Sequence, residues 1–294
     1  MGRTDSLRTA IVDRLAAQWI ALGVSLVGTP DQSLVDLEAL VVMTATVGRD
    51  DPRVPDGALD WCVAHGSAIN AGRLKVVARE IGPDVEQLQE FAACVAGGGG
   101  PEWPMAQGQR IPFELRGTVH LRDLQAPGVL AWRLRSAFGI SARADILTVL
   151  ATMPGPSITQ ADLARMARTS KRTIALTAHA LALANIVEVD RLGNEQRIRL
   201  TRHKGFRDWL GRRPPAYTDW TTRFAVAASV LRLDHVIRDE SPMVVAIEAR
   251  ALVERLAPCL VRAGLPTPDT STLREGFAAA YADWRTELAR TIAP

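Results

Sequence analysis

Apolar positions in the first hundred residues recur at three- and four-residue steps, the period of an amphipathic helix. Leu7, Ile11, Leu15, Trp19 and Leu22 share one face of a first helix. Ser33, with Asp36 three residues later, gives a capping-box-like start to a second, which carries Leu34, Leu37, Leu40, Val41 and Val47. Asp51-Pro52-Arg53 breaks it. A third helix is predicted over about 55–65 with Gly66 as its stop, and a fourth over about 71–81, capped by Asn70 and ended by Gly82-Pro83. A fifth covers about 84–96. Gly97 to Gly100, followed by Pro101 and Pro104, is the strongest linker signal in the chain. Residues 101–126 are ambiguous, with Thr118-Val119-His120-Leu121 reading as a short strand or a loop.

The helical pattern returns from Gly128 with Val129, Leu130, Trp132, Leu134 and Phe138, and Gly139 ends it. Ser141 is placed to cap a helix over about 142–153, stopped by Pro154-Gly155-Pro156. Beyond Pro214-Pro215, three more helices are predicted. The first spans about 219–238. The second spans about 242–263, with a kink at Pro258 and Gly264 as its stop. The third spans about 273–292 and is opened by Thr272 and Glu275 as a capping box.

Between these helical stretches the pattern changes. Thr159-x-x-Asp162 starts a short helix over 160–167, with Leu163 and Met166 inward. Arg168-Thr169-Ser170 is a turn, and Ser170 suits the cap of a helix over about 171–184. In that helix Ile174, Ala178 and Leu181 step by four and three and face inward. Lys171, Ala175 and His179 are predicted on the opposite face, with Arg172 and Leu176 beside them. Asn185 is placed for a left-handed stop. Ile186 to Val189 alternates as a half-buried strand, Gly193-Asn194 signals a tight turn, and Gln196 to Leu200 is the return strand. Ile198 and Leu200 point one way there, and Arg197 and Arg199 the other.

Helix, turn, helix and hairpin in this order resemble the winged helix-turn-helix domains of prokaryotic regulators of the ArsR and MarR type. The resemblance rests on Asp162-Leu163-Ala164, on Thr169 to Ile174, on Asn185 to Val189 and on Gly193 to Arg197, and runs from about 141 to 209. It departs from the pattern at Asn185, where a glycine is usual, and it carries no Cys or His pair of the ArsR metal-sensing kind. The resemblance implies double-stranded DNA binding as a dimer through residues 170–179 and the wing. The residues so assigned are Ser170, Lys171, Arg172, Ala175, Leu176, His179, Arg191, Asn194, Arg197 and Arg199. The fold class expected is mainly α: a winged helix-turn-helix domain at 128–213, between an N-terminal helical domain at 1–96 with a linker at 97–127 and a C-terminal helical segment at 214–294.

Charge sharpens this picture. The chain has 294 residues and a net charge of only +3. Residues 161–213 hold twelve Lys or Arg against five acids, a net +7, so the rest of the chain sums to −4. A concentrated basic segment is the footprint of a polyphosphate binder. The start of the chain has no apolar signal region and no apolar run long enough to span a membrane, so a cytoplasmic location is expected. Cys62, Cys94 and Cys259 are odd in number and far apart, which argues against a disulfide framework or a zinc site. No metal or other cofactor is implied. The glycine run lacks the Lys-Ser/Thr of a phosphate loop, and neither a nucleophile elbow nor a metal-protease motif appears, so no enzyme is expected. Trp132, Trp209 or Trp220 are candidates to line an effector pocket between the winged core and its flanking helices. The alternative to a DNA-binding regulator is a protein-interaction module, such as an antitoxin or phage-defence accessory factor, gripping a partner through its helical regions.

Overall fold

A computed structural model of the chain describes residues 6–82, 84–120, 123, 125–153, 155–201, 204–211, 214–271 and 276–294. It is mainly helical, with one small antiparallel sheet. The first helix, α1 (Ser6–Ala21), buries Leu7, Ile11, Leu15 and Trp19 completely, as the three-and-four spacing requires. Each such side chain contributes roughly 1.5–3 kcal/mol on burial. The second, α2 (Leu37–Thr46), starts later than the sequence suggests. Asp36 is its cap and accepts from the Ala39 amide, whereas Ser33 turns back to hydrogen-bond Asp31. Then follow α3 (Arg53–His65), α4 (Ala71–Ile81) capped by Asn70, and α5 (Val85–Gly97) capped by Asp84.

The segment after α5 is no free tether. Trp103 is buried, the Ile111 amide donates to the Ala93 carbonyl, and Val119 forms a single antiparallel bridge with Val24. Buried Asp60 accepts from the Arg116 amide and from both the amide and the hydroxyl of Thr118. The glycines therefore make room rather than slack. A Cβ on Gly97 would lie 1.8 Å from the Ile111 carbonyl oxygen. Gly97→Ala is accordingly expected to destabilise the protein by at least about 1–3 kcal/mol through overpacking, read as a lowered urea midpoint with unchanged m-value. An unchanged midpoint would mean that the strap does not hold this close approach. Leu121 lies outside the described residues, as do Pro83 and Pro154.

Next come α6 (Leu130–Phe138) and α7 (Ala142–Thr152). Ser141 stands at the N-cap of α7 but makes no side-chain capping bond; its hydroxyl donates to the Phe138 carbonyl instead. A two-residue strand, β1 (Ile158–Thr159), leads into α8 (Gln160–Met166), α9 (Lys171–Leu183), β2 (Val187–Leu192) and β3 (Glu195–Leu200). The sheet order is β1-β3-β2. The short first strand, pairing Ile158 with Ile198, is not legible in two residues of sequence. A further helix, α10 (Lys204–Leu210), precedes α11 (Trp220–Val236), α12 (Pro242–Ala263) and α13 (Gly276–Ile292). α12 runs through Pro258 and stops at Gly264. The Thr272/Glu275 capping box lies outside the described residues. No helix among them is long and apolar enough to cross a membrane.

Two cores organise these elements. One draws on residues from Leu7 to Val129 and again from Trp220 to Ile292. The other joins Leu34 to residues from Leu130 to Leu210. The N-terminal and C-terminal helices thus form one body, and α6–α10 are inserted between its halves. α1 packs on α13, and Arg14 donates through its guanidinium to the carbonyls of Ile292 and Ala293.

Where the two bodies meet, charge is buried. Arg135 of α6 makes a two-pronged pair with Glu38, at 2.6 and 3.0 Å, and a second pair with Asp145 at 2.8 Å. Arg73 joins Glu38 to Asp36, and Asp36 also accepts from the Thr221 hydroxyl. Burial alone would push the Glu38 carboxyl up, but Arg135 and Arg73 outweigh it and hold it below the usual glutamate value. At Asp36 burial is likewise overcome, by Arg73 and Arg168. Trp132 completes the junction against Trp61 and His65, at ring-centroid distances of 5.1 and 4.7 Å.

Candidate nucleic-acid interface

The basic segment folds from local signals. The Thr159 hydroxyl accepts from the Asp162 amide at 3.1 Å and starts α8. The Ser170 hydroxyl accepts from the Thr173 amide at 3.0 Å and starts α9. Gln160 reaches across to the Lys171 carbonyl at 2.6 Å, tying the two helix starts together. Asn185 closes the region behind α9 in the left-handed conformation, at φ 56°.

Ile174, Ala178 and Leu181 anchor α9 in the second core. The direction opposite to that trio is held by Arg172, Leu176, His179 and Leu183, spaced by four, three and four residues. All four are exposed, Leu176 by 66% and Leu183 by 78%. The outward face is therefore centred on Arg172 and Leu176 rather than on Lys171 and Ala175, which are exposed along its flank. Leu183, which the sequence did not single out, extends the stripe by one turn.

The turn between α8 and α9 corrects the charge map. Arg168 sits at φ 51° and points inward, its side chain only 4% exposed. It pairs with Asp219 at 2.6 Å and with Glu80 at 3.2 Å. Burial would lower its pKa, yet Asp219 and Asp36 raise it. This arginine belongs to the junction between bodies and takes no part in a basic surface. Arg165 is likewise engaged, with Asp162 at 3.1 Å. Lys171 and Arg172, by contrast, have no carboxylate partner among the described residues. Arg202, His203, Arg212 and Arg213 lie outside the described residues.

The hairpin divides its cations. Val187 pairs with Leu200, Val189 with Ile198 and Arg191 with Gln196. Side chains alternate along a strand, so Arg191 shares the sheet face of buried Val187 and Ile198, beyond the end of the core. Arg197 and Arg199 occupy the other face with Glu188, Asp190 and Glu195. Arg199 pairs there with Glu188 and Asp190, and Arg197 donates to the Ser157 hydroxyl and lies 3.8 Å from Glu195. Three acids against two arginines leave that face without cationic excess. Gly193 takes φ 60° at the first of the two loop residues, as a tight hairpin turn requires, and exposed Asn194 follows it. Arg191 Nε donates to the Gly193 carbonyl at 3.2 Å, which holds this guanidinium at the tip.

The three tryptophans considered for an effector pocket do not converge. Trp220 is buried in the first core beside Phe224, Trp132 packs on Trp61 and His65, and Trp209 stacks on Phe206 under Arg133. Comparison of the chain with protein-family models, with curated proteins and with solved structures finds no match.

Proposed function

We propose that this protein binds double-stranded DNA sequence-specifically, as a dimeric cytoplasmic regulator of transcription, with α9 entering the major groove and the β2–β3 hairpin lying beside it. The succession α7, β1, α8, α9, β2, β3 with sheet order β1-β3-β2 supports reading residues 142–200 as a winged helix-turn-helix. One observation carries the reading. α9 contains no acidic residue, and its exposed side carries Lys171, Arg172 and His179. Cations in the first turn oppose the positive end of the helix dipole and cost stability there, so a polyanionic partner gives them a reason. An α-helix fits the major groove, and basic side chains in its first turn meet phosphates and guanine edges. Ser170, Ala175 and Leu176 lie in the same footprint, and Arg191 and Asn194 are the hairpin residues free to join it. Arg197 and Arg199 join only by exchanging their carboxylate partners for phosphate.

Selection of bound sequences from random duplex DNA, at two salt concentrations, tests this. A palindromic consensus whose affinity falls steeply with salt is expected, because each neutralised phosphate releases counterion. Absence of enrichment, together with co-purification of one partner protein, would instead support the interaction-module reading. That reading is favoured by the exposed Leu183 and by Leu192 at the hairpin end, 67% exposed.

A further inference from the structure

The geometry points to Leu176 as a reader of thymine methyl groups: the duplex this protein prefers carries a thymine beneath the centre of α9. The inference rests on the DNA-binding reading above and adds to it the identity of a recognised base. Leu176 lies opposite the buried trio Ile174, Ala178 and Leu181, in the middle of the exposed stripe. It is 66% exposed and belongs to neither core. Its neighbours on the stripe are Arg172 one turn before and His179 one turn after, with Ala175 alongside. An apolar partner protein laid over Leu176 would bury the Arg172 guanidinium, which has no carboxylate partner among the described residues.

The major groove resolves that conflict. It presents phosphates and guanine acceptors to cations, and the one apolar group it presents is the thymine C5-methyl. A leucine with an arginine one turn before it and a histidine one turn after it matches that mixture. The short side chain of Ala175 leaves space for the base pair to approach the helix. Leu183 lies a full turn beyond His179, the last polar position of the stripe, and is not needed for this contact.

The test uses the full-length protein and the duplex recovered by selection. In that duplex each thymine is replaced in turn by uracil, which differs only in lacking the C5-methyl. Affinity is measured for the natural protein and for Leu176→Ala. The natural protein is expected to lose about fourfold in affinity at one or two positions, the effect of one buried methyl-sized group. Leu176→Ala should bind the thymine and uracil duplexes equally at those positions, with an unchanged Tm because the side chain is outside both cores. Leu183→Ala should keep the thymine preference. Equal affinity of the natural protein for every thymine and uracil duplex would overturn this inference while leaving DNA binding intact. Failure to bind any duplex would instead overturn the function on which it rests, and a Leu176-dependent self-association would assign the stripe to a protein interface.

Discussion

Glu38→Ala should lower the stability of the protein by roughly 3–5 kcal/mol, the cost of taking one carboxylate out of a buried network of paired charges. The Glu38 side chain is wholly inaccessible, and the Arg135 and Arg73 guanidiniums converge on it with side chains only 4% and 11% exposed. Removing the carboxylate leaves Arg135 with Asp145 alone and Arg73 with Asp36 alone, two buried cations each short of one counter-charge. Glu38→Gln retains the shape and the acceptor for the Asn70 amide, but not the charge, so it should fall between the natural protein and the alanine variant. Urea unfolding measures both. The network also dictates an acid response. Glu38 and Asp36 are held below their ordinary values, so they bind protons more readily in the unfolded chain. Their contribution is fully present above about pH 4–4.5, where the unfolded carboxyls are ionised, and is lost as pH falls further towards the folded values. Tm should be flat from pH 7 to about pH 5 and drop below that, with a shallower drop in Glu38→Gln. A Glu38→Gln protein as stable as the natural one, with the same acid limb, would show that the network carries no net stability.

Lys171→Ala combined with Arg172→Ala is expected to weaken duplex binding by about two orders of magnitude, on 1–3 kcal/mol for each lost contact. The slope of log affinity against log salt should become shallower by about two, since two phosphate or base contacts disappear. Neither residue has an ionic partner among the described residues and both are exposed, so stability should change by no more than about 0.5 kcal/mol. Arg199→Ala is the informative contrast. Its guanidinium is shared between Glu188 and Asp190, so its loss should cost much less in DNA affinity than either α9 cation. If the double variant binds duplex DNA with unaltered affinity and salt dependence, α9 is not the contact surface.

Local signals carried much of this structure into the sequence. The caps Asn70, Thr159, Ser170 and the left-handed Asn185 all stand where the residue types indicated, because each needs only a neighbour two or three positions away. The inward side of α9 was equally legible from its period. Its outward side is centred one position beyond Lys171, because the direction opposite the buried trio sets it and the first cation does not. Arg168 could not be read at all. Counting charges placed it on the basic surface, and its real partners, Glu80 and Asp219, are 88 and 51 residues away. The division of Arg191 from Arg197 and Arg199 follows from strand pairing, which a list of residues does not contain. The glycines after α5 have the composition of a linker, and only the approach of Ile111 shows that they serve contact.

The docking of α13 on α1 bears on how the chain is made. Leu7, Ile11, Leu15 and Trp19 leave the ribosome long before α13 does, yet part of their cover arrives only with Phe277, Trp284, Leu288 and Ile292. Until then the nascent protein carries a greasy helix that its earlier neighbours, α2 and α3 among them, cover only in part, while the α6–α10 segment already has every residue of its own core. Ribosome-stalled chains ending before residue 276 should therefore engage holdase chaperones through α1.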